Sequence, residues 1–264
     1  MELAKRNASR GFRDLALFES GAVFLPAGTM GTESIPPLGV LPEDAVLDGL
    51  YAGIPAQPLT IAALFTGHEQ AASAGGTPRA WDWADAVDVV RLMAQVTGVD
   101  VVVRQGAHQA FHPGRTAEFV LRSGELLGYA GELHPKLIAA EDLPARTVAL
   151  EIDADLLFEA AADVIVARPL STYPVATQDV ALVVDEGVVA GAVLEALREG
   201  AGDLLEEVSL FDVYTGQGIA DGKKSLAFAL RFRAPDRTLT ADEASGARDA
   251  AVAVAAERFD AVQR

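Results

Sequence analysis

The chain has no cysteine. That excludes disulfides, thiolate nucleophiles and cysteine-held iron–sulfur clusters, and it is the usage expected of a cytoplasmic protein. Positive charge is also scarce: 21 Lys+Arg stand against 38 Asp+Glu, for a net charge of -17. General nucleic-acid affinity is thereby disfavoured, because phosphate binding needs cations that release counterions. No apolar run reaches about 18 residues, so no membrane span is expected. The opening MELAKRNASR lacks the apolar stretch of a signal peptide. There is no GxGxxG, GxxxxGK(S/T) or GxSxG, so no phosphate-cradling loop or nucleophile elbow can be read.

Half of the 264 residues are apolar and 22% are charged, which predicts packed cores. The length suits two modest domains. Glu2 to Arg10 reads as the tail of a helix stopped by Gly11, so the chain is expected to open in mid-unit. Leu15 to Phe24 reads as a strand. Residues 26 to 58, rich in Pro and Gly, read as a loop with a short strand near Asp48 to Tyr51. Leu59 to Thr66 is a buried-type strand, and His68 to Pro78 a loop. Trp83, Val87, Val90 and Ala94 fall at helical spacing between an Asp82 cap and a Gly98 stop.

Asp100 to Arg104, Ala117 to Arg122, Leu126 to Leu133 and Thr147 to Ile152 read as strands, with a short helix from Pro135 to Ala140. The HQAFHPGR stretch reads as a loop. The first 160 residues are thus expected to form an α+β, largely antiparallel unit. Arg168, Pro169 and Pro174 interrupt regular structure, and the boundary is placed at a linker over 161–167. From 168 to 264 the order reads strand, helix, strand, strand, helix, strand, with Thr240 and Glu243 as a capping box on the last helix. That is the ferredoxin-like βαββαβ arrangement, with both helices on one face of a four-stranded sheet and the other face open.

As metal ligands the histidines are poorly arranged. His108 and His112 are four apart, but Pro113 and Gly114 make a turn there, and His134 sits in a second His-Pro pair. Without helical presentation or cysteine, turn shaping is the expected role and no metal site is expected. Glu132 and His134 make too sparse a pair to define an acid–base site, so no catalytic residue is assigned.

Charge is unevenly spread. Residues 168–264 carry net -6 and residues 1–167 net -11, yet 223–237 holds five cations and one anion. This strip begins in LFDVYTGQGIADGKKSLAFALRF, residues 210–232. Strand alternation places Asp212 and Tyr214 on the open face with Leu210 behind them, and turns Phe211 and Val213 toward the helices. A tyrosine there can stack an unpaired base, an aspartate can accept from a guanine edge, and Ser225 can donate or accept. Lys223, Lys224 and Arg233 are candidates for holding RNA phosphates. The same pattern also fits an ordinary edge hairpin charged against aggregation.

LSTYPVATQDVALVVDE, LFDVYTGQGIADGKKSLAFALRF and PDRTLTADEASGARDAAVAV, in this order, resemble the ferredoxin-fold anticodon-binding domain that ends the beta subunit of bacterial phenylalanine–tRNA ligase. SRGFRDLALFESGAVF and FHPGRTAEFVLRSGELLGYAGELHPKLIAAEDLPARTVALEID resemble the same subunit's inactive, class II synthetase-like module, here N-terminally incomplete. The resemblance implies that Asp212 and Tyr214 meet the first anticodon base, a guanosine, and that Ser225 meets its neighbour. It implies tRNA(Phe) and the alpha subunit of an alpha2 beta2 enzyme as partners. ATP and magnesium would be handled by the alpha subunit, and no cofactor by this chain. Many members carry two arginines where this chain has Thr177 and Gln178, which implies weaker backbone attraction here. A metabolite-sensing regulatory domain or a purely structural docking module are the alternatives.

Overall fold

A computed structural model describes residues 1–26, 36–70, 76–164 and 171–264. The chain divides into two compact units, Met1–Val166 and Ala167–Arg264. The expected linker overlaps residues 165–170, which lie outside the described residues, as do Arg168 and Pro169.

The first unit runs α1 (Glu2–Ser9), β1 (Leu15–Ala22), α2 (Asp44–Tyr51), β2 (Leu59–Thr66), β3 (His68–Gln70), β4 (Arg79–Ala80), α3 (Trp83–Thr97), β5 (Val101–Gln105), β6 (Phe111–Leu121), β7 (Leu126–Leu133), α4 (Pro135–Ala140), β8 (Val148–Asp153) and α5 (Ala154–Glu159). Six strands form an antiparallel sheet in the order β1-β2-β8-β7-β6-β5. One face is roofed by α3. Its apolar positions Ala86, Val87, Val90 and Ala94 pack on Phe119, Leu127, Leu150 and Ile152. The roof is fixed at both ends. Asp82 accepts from Ala84 N at 2.7 Å while Asp85 accepts from Asp82 N at 2.8 Å, and Gly98 closes the helix in the left-handed conformation at φ 70°. The opposite face is only partly covered. Ala4 of α1 and Leu137 and Ile138 of α4 pack with Leu17, Leu64 and Ala149. A trough of about 560 Å³ remains, lined by Leu17, Leu64 and Tyr129 as well as Glu19 and Glu151.

The structure corrects four readings in this unit. Asp48 to Tyr51 is the end of helix α2, not a strand; Gly49 disguised the helical spacing of Val46, Leu47 and Leu50. The 68–78 segment is framed by the short antiparallel pair β3 and β4, with 71–75 outside the described residues. Strand β6 begins at Phe111, because an irregularity between Phe111 and Thr116 absorbs the turn that His112-Pro113-Gly114 makes. Helix α5 was not read at all; it is short and starts under Asp153, whose carboxylate accepts from Leu156 N at 2.9 Å.

The second unit runs β9 (Ala176–Asp185), α6 (Ala190–Ala201), β10 (Leu205–Tyr214), β11 (Lys223–Phe232), α7 (Ala241–Phe259) and β12 (Val262–Gln263). The sheet order is β10-β11-β9-β12, all antiparallel. This is the βαββαβ order expected from the sequence. Alternate residues of the central strands, Val180, Leu182 and Val184 with Leu226, Phe228, Leu230 and Phe232, are buried beneath Val193, Ala196 and Leu197 of α6 and Ala244, Ala251 and Ala255 of α7. The two helices approach closely at Gly200, where a Cβ would lie 2.7 Å from Ala250 O. Helix α7 has a low-polarity-contrast, Ala-rich sequence, so its start depends on the cap. Thr240 Oγ1 accepts from Glu243 N at 3.3 Å, and Glu243 accepts from Thr240 N at 2.9 Å. The Thr240 amide first, then Arg237 and the Thr240 hydroxyl, lower the Glu243 pKa from 4.5 to about 2.

Candidate nucleic-acid interface

Both helices of the second unit pack on the face carrying the even-numbered side chains of β9 and β11. Antiparallel partners share a face, so the pairing register names what lies on the other. Three rows result: Tyr214, Ser225, Val183 and Val262; Asp212, Ala227 and Ala181; Ser209, Ala229 and Asp179. The middle of this surface is a floor of small side chains. Strands lie about 4.8 Å apart, so the floor is wide enough for a flat ring to rest on.

The structure places Asp212 and Tyr214 on this open face, but not for the reason that simple alternation gives. Leu210 pairs with Phe228 and Asp212 with Ala227, leaving Phe211 without a partner. This β-bulge reverses the parity of the strand. Upstream of it, Val208 and Leu210 oppose buried Leu230 and Phe228 on the helix side. Downstream, Asp212 and Tyr214 oppose Ala227 and Ser225 on the open side. Leu210 therefore does not sit behind Asp212. Val213 opposes buried Leu226 on the helix side, as expected, though it is 52% exposed, while the unpaired Phe211 is 60% exposed and does not enter the core.

Tyr214 is 39% exposed, and its hydroxyl donates to Gln217 O at 3.2 Å. The hairpin turn closes against the ring. A Cβ on Gly216 would lie 2.8 Å from the Tyr214 hydroxyl oxygen. Glycine at 216 thus allows the turn to brace the phenol. Ser225, next to Tyr214 in the same row, is only 5% exposed. It belongs to the open face by register but lies covered in this state.

The sequence-flagged cations divide. Lys223 lies on the open side opposite Asp185, and its Nζ is 2.7 Å from the Asp185 carboxylate. Lys224 pairs with fully buried Val184 and so belongs to the helix side, away from Tyr214. Arg233 is an internal clamp. Its Nη1 donates to Ser171 O at 3.1 Å and Tyr173 O at 2.7 Å, and its Nε lies 3.1 Å from Glu206 without hydrogen-bond alignment. Lys224 and Arg233 are thus poorly placed for the phosphate-holding role the sequence suggested. Arg264 was overlooked. Its guanidinium lies 3.6 Å from where a Cβ on Gly218 would sit, beside the hairpin turn. Nothing in strand periodicity signals a residue that reaches the site only through the β12 pairing. The Gln178 side chain accepts from Arg248 Nη1 at 3.1 Å.

In the first unit the sequence-flagged histidines shape turns. Each Nδ1 accepts a backbone N–H two residues on, from Ala110, Gly114 and Lys136 for His108, His112 and His134. Glu132 is buried and engages Arg115 at 2.8 Å and Arg146 at 3.7 Å, not His134. Among the described residues no helix is long and apolar enough to cross a membrane.

A family model described as "Phenylalanyl tRNA synthetase beta chain CLM domain" matches residues 1–154, and one described as "Ferredoxin-fold anticodon binding domain" matches 171–264. The chain is similar to the phenylalanine–tRNA ligase beta subunit of Streptomyces avermitilis, at 50% identity over 263 residues, which is 98% of this chain and 32% of that protein. It is 49% identical to the beta subunit of Leifsonia xyli over 264 residues, 99% of this chain and 31% of that protein. The Thermobifida fusca beta subunit is likewise 49% identical, over 98% of this chain and 32% of its own length. The chain therefore spans about a third of the curated relatives it matches.

Proposed function

The chain belongs to the phenylalanyl tRNA synthetase beta chain family, and on that premise we propose that its second unit binds the anticodon of tRNA(Phe). The observation that carries this reading is the open face itself: Asp212 and Tyr214, exposed together, beside a floor of alanines. The Tyr214 ring stacks the first anticodon base. The Asp212 carboxylate, an acceptor only, takes the N–H donors of the guanine Watson–Crick edge. Ser225 contacts the neighbouring base once it is uncovered. Lys223 releases Asp185 to hold a phosphate, and Arg264 adds a second cation at the turn.

In this reading the first unit scaffolds the active site of an alpha subunit within an alpha2 beta2 assembly. Its partly covered sheet face, with aliphatic Leu17 and Leu64 lining a trough, supports a docking role beside the RNA role. ATP and magnesium chemistry is assigned to the alpha subunit, so the chain alone is expected to charge no tRNA. A metabolite-sensing role is not favoured, given the anticodon-binding family match.

The test is filter binding of the chain to tRNA(Phe), with the first anticodon guanosine intact or replaced. Replacement is expected to weaken binding, and Tyr214→Ala to cost roughly 1–3 kcal/mol of affinity with the melting temperature unchanged. Equal affinity for both RNAs, or an unaffected Tyr214→Ala chain, would exclude the assignment.

A further inference from the structure

We propose that Phe211 is a second stacking platform, taking a nucleobase adjacent to the one on Tyr214; this rests on the anticodon-binding reading above. Phe211 is the unpaired residue of the β10 bulge, between Leu210 on the helix side and Asp212 on the open side. It is 60% exposed, and it is not among the side chains packed on the core of its unit. Strand β10 is an edge of the sheet, so no neighbouring strand covers it. A large bare aromatic on an edge strand invites aggregation, and folded proteins usually blunt such edges with charge. Here the edge keeps a phenylalanine beside a carboxylate and three residues from a tyrosine, a span of about 10 Å at the usual strand rise.

The bulge makes this arrangement possible. Without the extra residue, Asp212 would share a face with Leu210 and point to the core, and the aromatic would be the only group presented. With it, an apolar ring, a carboxylate and a second ring are offered in succession along one strand. Stacking is tolerant of base identity, because every base has a π-face. Phe211 therefore supplies affinity, and Asp212 supplies the choice of guanine. A docked protein surface is the competing occupant. It is less favoured because the charged Asp212 follows the ring directly, where a protein interface core would be depleted of charge.

The experiment uses the full chain, low salt and tRNA(Phe) transcripts carrying 2-aminopurine at each anticodon position in turn. Phe211→Ala is expected to weaken binding roughly tenfold and to restore the fluorescence of one position that the unaltered chain quenches. Phe211→Trp is expected to recover both, and the melting temperature of each variant to stay unchanged, as suits an exposed side chain. If Phe211→Ala binds normally while Tyr214→Ala is impaired, the second platform is wrong and the Tyr214 reading stands. If neither variant is impaired, or the unaltered chain binds no RNA, both ideas fall. If Phe211→Ala leaves RNA binding intact and instead abolishes self-association in sedimentation, the ring belongs to a protein interface and the proposal is overturned.

Discussion

The two units each bury one sheet face under helices and treat the other differently. In the first, the second face still carries aliphatic side chains, and short helices α1 and α4 cover part of it around a trough. In the second, no described helix of the unit packs on the other face, whose middle is built from Ala181, Ala227, Ala229, Ser209, Asp179 and Asp212, with Tyr214, Ser225, Val183 and Val262 in the row beside them. Burial of aliphatic groups is worth about 25 cal/mol per Å², so a face that retains leucines is stabilised by an apolar cover. A face of small and polar groups gains little from such a cover and can remain in water. It is therefore available to a polar, planar ligand. What distinguishes the two uncovered faces is the side chains each sheet leaves exposed, not the sheet architecture.

That contrast makes predictions of decreasing size. The covered faces should behave alike: Phe119→Ala in the first unit and Phe228→Ala in the second, both with 0% exposure, should each cost about 3–5 kcal/mol in denaturant unfolding. A much smaller loss for one would mean that its helix layer is loosely packed. The open floor should respond in binding and not in stability. Ala227→Phe raises a ring beside Asp212 and should lower tRNA affinity by roughly 1–3 kcal/mol, the size of one lost stacked base, with an unchanged melting temperature. Unchanged affinity would show that the floor is not used.

Salt dependence separates the two lysines. Lys223→Ala should reduce the slope of log affinity against log salt by about one, whereas Lys224→Ala should leave it unaltered, since Lys224 lies on the helix side. Equal effects would contradict the register. The smallest effect is at Glu243. Its folded pKa of about 2 lies below the ordinary 4.5, so its contribution is complete above pH 4.5 and is lost as pH falls toward 2. Glu243→Gln should remove that portion of the acid limb and leave stability at neutral pH less dependent on the α7 cap. An acid-unfolding curve superimposable on the parent would refute the linkage.

Much of this molecule was legible in its sequence because the signals were local. The Asp82 cap and the Thr240–Glu243 capping box mark helix starts locally, and the apolar spacing of Trp83 to Ala94 marks the roof of the first sheet. Leu59 to Thr66 and Pro135 to Ala140 coincide with β2 and α4. Where the reading failed, the deciding contact was distant or the element short. Helix α5 has only six residues, and the start of β6 is fixed by pairing with Leu133.

The sequence by itself determined the order of elements in the second unit and the residue types at its hairpin: an aspartate, a tyrosine and a serine beside two lysines. Only the tertiary structure decided which of them share a surface. Pairing with β11 forced a bulge at Phe211, and one extra residue in a pattern of period two inverts every side chain beyond it. That inversion set Asp212 and Tyr214 on the face opposite Leu210 and left Phe211 in the open. Local propensity does not encode it, because the hydrogen bonds that set the register belong to two strands at once.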